Sequence, residues 1–135
     1  MLYIDSNIFI YPVIYDEQLI QESKRAKELL YKIATGKVEA YTSIITWDEV
    51  VWVIRRVHGV ERAIEQGRML LRFPNLKMLS INKATIIKAQ ELMERYRLKP
   101  RDALHIAVAL ENRLNRIASY DKDLDGVDGI ERIEP

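Results

Sequence analysis

The feature that most constrains this chain is its alternation of short apolar segments with longer segments of helical periodicity. Five segments are typical of β-strands, at 2–4, 38–42, 76–80, 116–119 and 130–133. The amphipathic helical segments between them lie at 18–34, 46–57, 61–72, 82–96 and 100–112. Such alternation indicates an α/β fold. We therefore predict one domain over residues 1–135, with a mostly parallel central sheet of four or five strands covered by helices in three layers, α/β/α.

The composition excludes several kinds of site. The chain has no cysteine, which removes disulfide scaffolds, thiolate zinc sites, iron–sulfur clusters and cysteine nucleophiles. Its net charge is only +1, so any contact with phosphate must come from local patches. The longest apolar runs, at 50–54 and 106–110, are far shorter than the ~18–20 residues of a membrane span. Because no targeting signal is visible, we expect a soluble, cytoplasmic protein that makes no contact with a membrane.

Four acidic residues follow predicted strands or stand near the start of predicted helices, namely Asp5, Glu49, Asp102 and Asp121. In a parallel sheet, the carboxyl ends of the strands and the amino ends of the following helices share one edge. These side chains are therefore expected to converge. The sequence places no fixed cation beside them, so the cluster needs protons, water or bound cations to be stable. Oxygen ligands of this kind suit Mg²⁺ or Mn²⁺.

Each carboxylate also has a local structural interpretation. Asp5 is suited to cap a helical turn, and Thr46 with Glu49 fits a capping box. Asp102 is placed to complement a helix dipole, and Asp121 to stabilise a turn. Local capping does not explain why all four mark the same edge of the sheet, so convergence is the stronger hypothesis.

The two histidines are expected to have structural roles. His58 stands beside Gly59 at the end of a predicted helix, as a cap residue would. His105 lies on a largely apolar helix, three residues after Asp102 and on the same face. With no further histidine, an HExxH zinc site is absent and a histidine-centred ribonuclease mechanism is disfavoured.

Four short motifs connect the chain to a known family. They are Asp5-Ser6-Asn7, Thr42-Ser43 with Glu49, Arg101-Asp102-Ala103-Leu104-His105-Ile106-Ala107, and Ser119-Tyr120-Asp121-Lys122-Asp123. In this order and spacing, the chain resembles the PIN-domain ribonucleases along essentially its whole length. Within that family it is similar to the VapC-like toxins of toxin–antitoxin pairs.

The resemblance implies a site, a reaction and partners. The family's acidic metal ligands, which are also its catalytic residues, correspond to Asp5, Glu49, Asp102 and Asp121. Asp123 is expected to contribute through water, and the supporting polar residues correspond to Asn7 and Ser119. The implied reaction is hydrolysis of RNA phosphodiester bonds with Mg²⁺ or Mn²⁺. A toxin of this kind also implies a homodimer and a cognate antitoxin that covers the active-site groove.

Two alternatives to a toxin endoribonuclease stay open at this point. One is a stand-alone PIN-domain nuclease of RNA processing, and the other is a non-catalytic PIN-like interaction module. A haloacid-dehalogenase phosphatase is disfavoured, because Asn7 stands where that family needs a second Asp. The basic segment 95–101 abuts Asp102 and is either a rim that guides phosphate or a solvated charged run.

Overall fold

The computed structural model describes residues 1–135 and confirms the predicted alternation of strands and helices. The strands are β1 (Leu2–Ile4), β2 (Ala40–Ser43), β3 (Leu76–Leu79), β4 (Arg116–Ala118) and β5 (Glu131–Ile133). The helices are α1 (Ser6–Ile14), α2 (Gln21–Ala34), α3 (Ile44–His58), α4 (Val60–Leu71), α5 (Lys83–Tyr96) and α6 (Pro100–Glu111), and a 3₁₀ turn covers Lys122–Leu124. None of the helices is both long and apolar enough to cross a bilayer.

The five strands form one parallel sheet in the order β3-β2-β1-β4-β5. The chain builds outward from β1 to β3 and then returns to the other side of β1 with β4. Tyr3 in β1 is accordingly paired with Tyr41 in β2 on one side and with Ile117 in β4 on the other. This reversal opens a crevice at the carboxyl ends of β1 and β4, which is where open parallel sheets bind ligands.

Helices cover both faces of the sheet, as predicted. Successive side chains of a strand point to opposite faces. Leu2 and Ile4 pack in a core with α1, α2, α3 and α4, whereas Tyr3 packs in a second core with α5 and α6. The result is a three-layer α/β/α domain whose central strand is buried on both sides.

Helix α1 is not predicted by the sequence pattern beyond a capped turn near Asn7. Its consecutive residues Ile8, Phe9 and Ile10 are all buried, so it lacks the polar stripe by which an amphipathic helix is recognised. Pro12 lies inside the helix, where proline is normally disfavoured. Burial between the sheet and the neighbouring helices therefore decides the conformation of this segment.

Helix α3 begins at Ile44, two residues before the predicted start at Thr46. The capping box predicted for Thr46 and Glu49 is wrong. Thr46 Oγ1 shares a hydrogen bond of 2.7 Å with Thr42 Oγ1 in the preceding strand, and the cap residue Ser43 makes no side-chain capping bond. Glu49 thus lies in the second turn of α3 and has no capping role.

Candidate active site

The predicted acidic residues meet at the crevice between β1 and β4. Asp5 follows β1, Asp121 follows β4, Asp102 lies in the first turn of α6 and Glu49 in the second turn of α3. Their ligand atoms fall into two groups, each with all atoms within 4.8 Å of one another. The inner group is Asp5, Glu49 and His105, and the outer group is Asp102, Asp121 and Asp123.

Asp5 is buried and both of its carboxylate oxygens accept hydrogen bonds. Oδ1 accepts from the Ser6 backbone N–H at 2.7 Å, which makes Asp5 the N-cap of α1, as its local interpretation predicts. Oδ2 accepts from Ser119 Oγ at 2.6 Å and from Asn7 Nδ2 at 3.2 Å. The capping role and the place in the acidic cluster are therefore compatible, because the two oxygens face different donors.

Asn7 and Ser119 link the ends of β1 and β4. Ser119 Oγ accepts from Asn7 Nδ2 and from the Asp121 backbone N–H, both at 3.0 Å. Asn7 Oδ1 accepts from the Tyr120 backbone N–H at 3.3 Å. These two polar side chains hold Asp5 and the segment of Asp121 in a fixed relation, which agrees with the supporting role that their motifs imply.

Glu49 is held by a buried chain of hydrogen bonds that starts at Ser43. The Tyr3 hydroxyl donates to Ser43 Oγ at 2.8 Å, so its oxygen is free to accept from His105 Nδ1 at 2.7 Å. On the other side of the imidazole, His105 Nε2 donates to Glu49 Oε1 and lies 3.4 Å from Asp5 Oδ1. Both ring nitrogens are therefore donors, which is the arrangement of a protonated imidazolium.

His105 is fully buried, and its surroundings determine its charge. Burial by itself lowers the pKa of the ring. Tyr3, the Asp5 carboxylate and the Glu49 carboxylate raise it, so that the pKa of His105 lies well above its usual value. The sequence expectation of a cluster without an internal cation does not include His105 of α6, which lies between Asp5 and Glu49 and whose raised pKa favours the charged form.

The outer group has a different environment. Burial raises the pKa of Asp102 to about 7, and the carboxylates of Asp121, Asp5 and Glu49 add to this effect while His105 opposes it. Asp121 Oδ1 accepts from the Asp123 backbone N–H at 2.9 Å and so caps the 3₁₀ turn. The one ion pair of this group joins Asp123 Oδ2 to Nζ of the exposed Lys99, at 3.8 Å.

The basic segment 95–101 borders this edge. Arg101 Nη2 lies 3.1 Å from Asp48 Oδ2, and Arg95 Nη2 lies 2.6 Å from Asp128 Oδ2. Arg97 ends α5 in the left-handed conformation with a φ of 58°. Lys99 and Arg101 thus stand beside the acidic crevice on its solvent side.

Two residues of the site, His105 and Tyr3, are not identified as functional by the sequence. The network joins His105 to Glu49, which is 56 positions away in the chain, and to Tyr3, which is 102 positions away. No local pattern predicts such partners. The one available signal is that His105 lies three residues after Asp102, on the helix face that turns toward the crevice.

The protein is thus a three-layer parallel α/β domain whose acidic side chains gather at the sheet edge where the strand order reverses. Among the families of α/β domains, the model of the PIN domain family matches residues 2–130. The chain belongs to the PIN domain family, as its motifs predict.

Individual relatives extend this finding. Ribonuclease VapC2 of Methanocaldococcus jannaschii is 23% identical over 145 residues, covering 98% of this chain and 93% of the relative. A chain of a toxin–antitoxin complex from Klebsiella pneumoniae matches with a TM-score of 0.65 and 25% identity, over 97% of this chain and 96% of that chain. The crystal structure of VapC20 of Mycobacterium tuberculosis, a toxin that cleaves the sarcin–ricin loop, matches with a TM-score of 0.78 and 16% identity over 100% of both chains. The VapC20 match shows the fold.

Proposed function

We propose that this protein is an endoribonuclease of the VapC type, which hydrolyses RNA phosphodiester bonds with Mg²⁺ or Mn²⁺ and acts as the toxin of a toxin–antitoxin pair. The observation that carries the proposal is the convergence of Asp5, Glu49, Asp102 and Asp121 on the crevice between β1 and β4. The predicted ribonuclease function agrees with the name of ribonuclease VapC2, and the predicted toxin role agrees with the toxin–antitoxin complex from Klebsiella pneumoniae.

The donor set fits a hard divalent ion. Asp102, Asp121 and Asp123 offer carboxylate oxygens within 4.8 Å of one another, and hard ions prefer oxygen ligands. Asp5 and Glu49 face the same crevice and complete the set of residues that would hold metal. When bound, Mg²⁺ or Mn²⁺ would lower the pKa of water and offset the negative charge that develops on the phosphoryl oxygens.

The protein's own residues contribute orientation. Asn7 and Ser119 fix the Asp5 carboxylate, and His105 fixes that of Glu49. Side chains held in this way lose little freedom when they engage a ligand, which favours binding and positions the scissile phosphate for attack by water. No side-chain nucleophile is required.

The proposed partners follow from the same assignment. A single-stranded or looped RNA is the substrate, since A-form duplexes hide most base edges. A cognate antitoxin and a homodimer are part of the proposal, with the cytoplasm as the compartment. The structural relative from Klebsiella pneumoniae is itself part of a toxin–antitoxin complex. Co-purification with the product of a small open reading frame beside the gene tests the antitoxin, and light scattering tests the dimer.

The decisive experiment measures cleavage of a labelled single-stranded RNA with Mn²⁺, with Mg²⁺ and with EDTA. We expect cleavage with either metal, products with 5′-phosphate and 3′-hydroxyl ends, and no cleavage in EDTA. Asp121→Asn and Glu49→Gln keep the shape of each side chain and remove a charged ligand, so both should reduce the rate severely. Glu91→Gln, an exposed position on α5, is the matched control and should cleave like wild type.

Two results would contradict the proposal. Cleavage at full rate in EDTA would remove the metal from the mechanism. A protein that neither cleaves RNA nor binds Mn²⁺ at its acidic edge would instead be a PIN-like interaction module without catalytic function.

A further inference from the structure

A cavity of about 490 Å³ opens beside the acidic crevice and is lined by aromatic and charged side chains. Three of its lining residues are tyrosines, namely Tyr11 of α1, Tyr15 directly after α1 and Tyr120 after β4. The ring centroids of Tyr11 and Tyr15 lie 4.9 Å apart with the rings edge to face, and those of Tyr11 and Tyr120 lie 4.9 Å apart with the planes tilted by 32°. Nothing in the mechanism above uses this cluster.

The tyrosine cluster is tied directly to the acidic site. Tyr120 stands between Ser119 and Asp121 in the chain, and its backbone N–H donates to Asn7 Oδ1 at 3.3 Å. Its hydroxyl donates to the Glu22 carbonyl oxygen at 2.7 Å. Tyr120 is the direct chain neighbour of two members of the site, and Lys122 of the same segment also lines the cavity. The cavity and the acidic crevice therefore share the segment that follows β4.

The cluster is also open to solvent. Tyr15 is 43% exposed, whereas Tyr3 in β1 is fully buried. Burial and the carboxylates of Glu22 and Glu134 raise the pKa of Tyr120 to about 12, so its hydroxyl stays neutral and holds its hydrogen bond. The cavity thus presents uncharged aromatic surface on rings whose positions are fixed.

The charges around the cavity indicate which part of a nucleotide enters it. Glu22 and Glu134 line its wall and would repel a phosphate group. Lys122, also in the lining, follows Asp121 in the chain and is exposed, where it can attract the backbone of a nucleic acid. A neutral base among the tyrosines, with its phosphate toward Lys122, satisfies both conditions.

We propose that the cavity of Tyr11, Tyr15 and Tyr120 is a subsite that stacks one unpaired base of the RNA substrate next to the cleaved bond. This inference rests on the proposed ribonuclease function. Stacking on aromatic rings is tolerant of base identity, because every base has a π-face. The subsite therefore holds the strand in register and leaves the choice of sequence to other contacts.

The test measures binding without cleavage, by fluorescence anisotropy of a short single-stranded RNA in EDTA. Replacing a stacking residue is expected to weaken affinity about 5- to 150-fold. Tyr15→Leu should show this loss, and Tyr15→Phe, which keeps the ring, should bind like wild type. Tyr31→Leu, at an exposed tyrosine on α2, is the matched control and should also bind like wild type.

A series of RNAs with one abasic position each makes the test specific. Wild type should lose affinity when the abasic position is the nucleotide beside the cleavage site, and Tyr15→Leu should not distinguish that RNA from the intact one. Equal affinity of Tyr15→Leu and wild type for intact RNA would overturn the subsite. If Tyr15→Leu then weakened binding of a protein partner, the cavity would be a protein-binding surface instead. If wild type still cleaves RNA with Mn²⁺ in that case, the ribonuclease function stands. If wild type neither binds nor cleaves RNA, both proposals fail.

Discussion

The inner and outer acidic groups lie at the same edge of the sheet, but they differ in the cation that offsets the repulsion between their carboxylates. In the inner group, the buried His105 donates to Glu49 and faces Asp5 at 3.4 Å, so two carboxylates share an internal cation. In the outer group, the carboxylates of Asp102, Asp121 and Asp123 lie together, and their one ion pair is with the exposed Lys99, at 3.8 Å from Asp123. Stability of the inner group is therefore built into the fold, whereas that of the outer group depends on what is bound from solution.

This difference suggests a division of labour within the proposed site. Both oxygens of Asp5 accept hydrogen bonds and Glu49 Oε1 accepts one from His105. Side chains held in this way are ordered before any ligand arrives. In the outer group, burial and, after it, repulsion from the neighbouring carboxylates raise the pKa of Asp102 to about 7. A divalent ion would relieve that repulsion most where no internal cation already does so, which places the stronger metal affinity at the outer group.

The largest expected effect comes from removing the inner cation. His105→Leu leaves Asp5 and Glu49 facing each other in a buried environment without their shared partner. Breaking a buried ion pair in this way costs about 3–5 kcal/mol of unfolding free energy. Urea denaturation in EDTA measures it, and His58→Leu at the other, exposed histidine is the control. A His105→Leu protein as stable as wild type would show that the inner group needs no cation.

The second effect concerns metal at the outer group. At a concentration of 100 times its dissociation constant, an ion that binds only the folded protein adds about 2.7 kcal/mol of stability. Mn²⁺ should therefore raise the melting temperature of wild type, and Asp121→Asn should lose most of this rise. Asp128→Asn, at an exposed aspartate that pairs with Arg95, should keep it. If Asp121→Asn responds to Mn²⁺ like wild type, the ion does not bind at the outer group.

The third effect is a dependence of stability on pH that belongs to Asp102. Its pKa is raised in the folded protein from 3.8 to about 7, so the folded state binds the proton more tightly than the unfolded state. The stabilisation by this proton is complete below pH 3.8 and is lost as the pH rises through about 7. Asp102→Asn has no such loss and should be more stable than wild type at pH 8 but not at pH 4.

The size of that difference is on the order of 1 kcal/mol, since solvent screens a carboxylate that is only partly buried. Urea midpoints in EDTA between pH 4 and pH 8 measure it for both proteins. A stability difference that does not change with pH would mean that Asp102 is charged throughout this range.

The sequence predicts the sheet and the acidic residues because both depend on local signals. Apolar strands alternate with amphipathic helices, and Asp5, Asp102 and Asp121 stand at the ends of those elements. A wholly apolar segment with an internal proline, such as α1, has no such signal, because its conformation depends on burial by distant parts of the chain.

The electrostatics of the site were less accessible to sequence reasoning for a related reason. The pairing of His105 with Glu49 depends on where α3 and α6 meet at the edge of the sheet. The sequence contains His105 and Glu49 but does not show that the two side chains are in contact. The capping box predicted at Thr46 is wrong for a similar reason, because α3 begins at Ile44 and the Thr46 hydroxyl shares a hydrogen bond with Thr42 of β2.

The smallest effect concerns the solvent side of the outer group, where Lys99 and Arg101 pair with Asp123 and Asp48. Exposed pairs of this kind contribute little to stability, so Lys99→Gln and Arg101→Gln should leave the melting temperature almost unchanged. Their expected effect is on RNA binding instead. Each phosphate contact contributes a slope of about −0.7 to the dependence of log affinity on log salt concentration for single strands.

Removing one of these charges should therefore weaken RNA binding at low salt and flatten the slope by about 0.7. The removal also releases a carboxylate, Asp123 or Asp48, which repels the strand. Asp48→Asn combined with Arg101→Gln removes both members of a pair and isolates the contribution of the arginine. Arg113→Gln is the control, because Arg113 follows α6 at the opposite edge of the sheet. Unchanged slopes in all three variants would mean that the segment 95–101 is a solvated charged run. The RNA would then cross the crevice on the side of Tyr120 and Lys122.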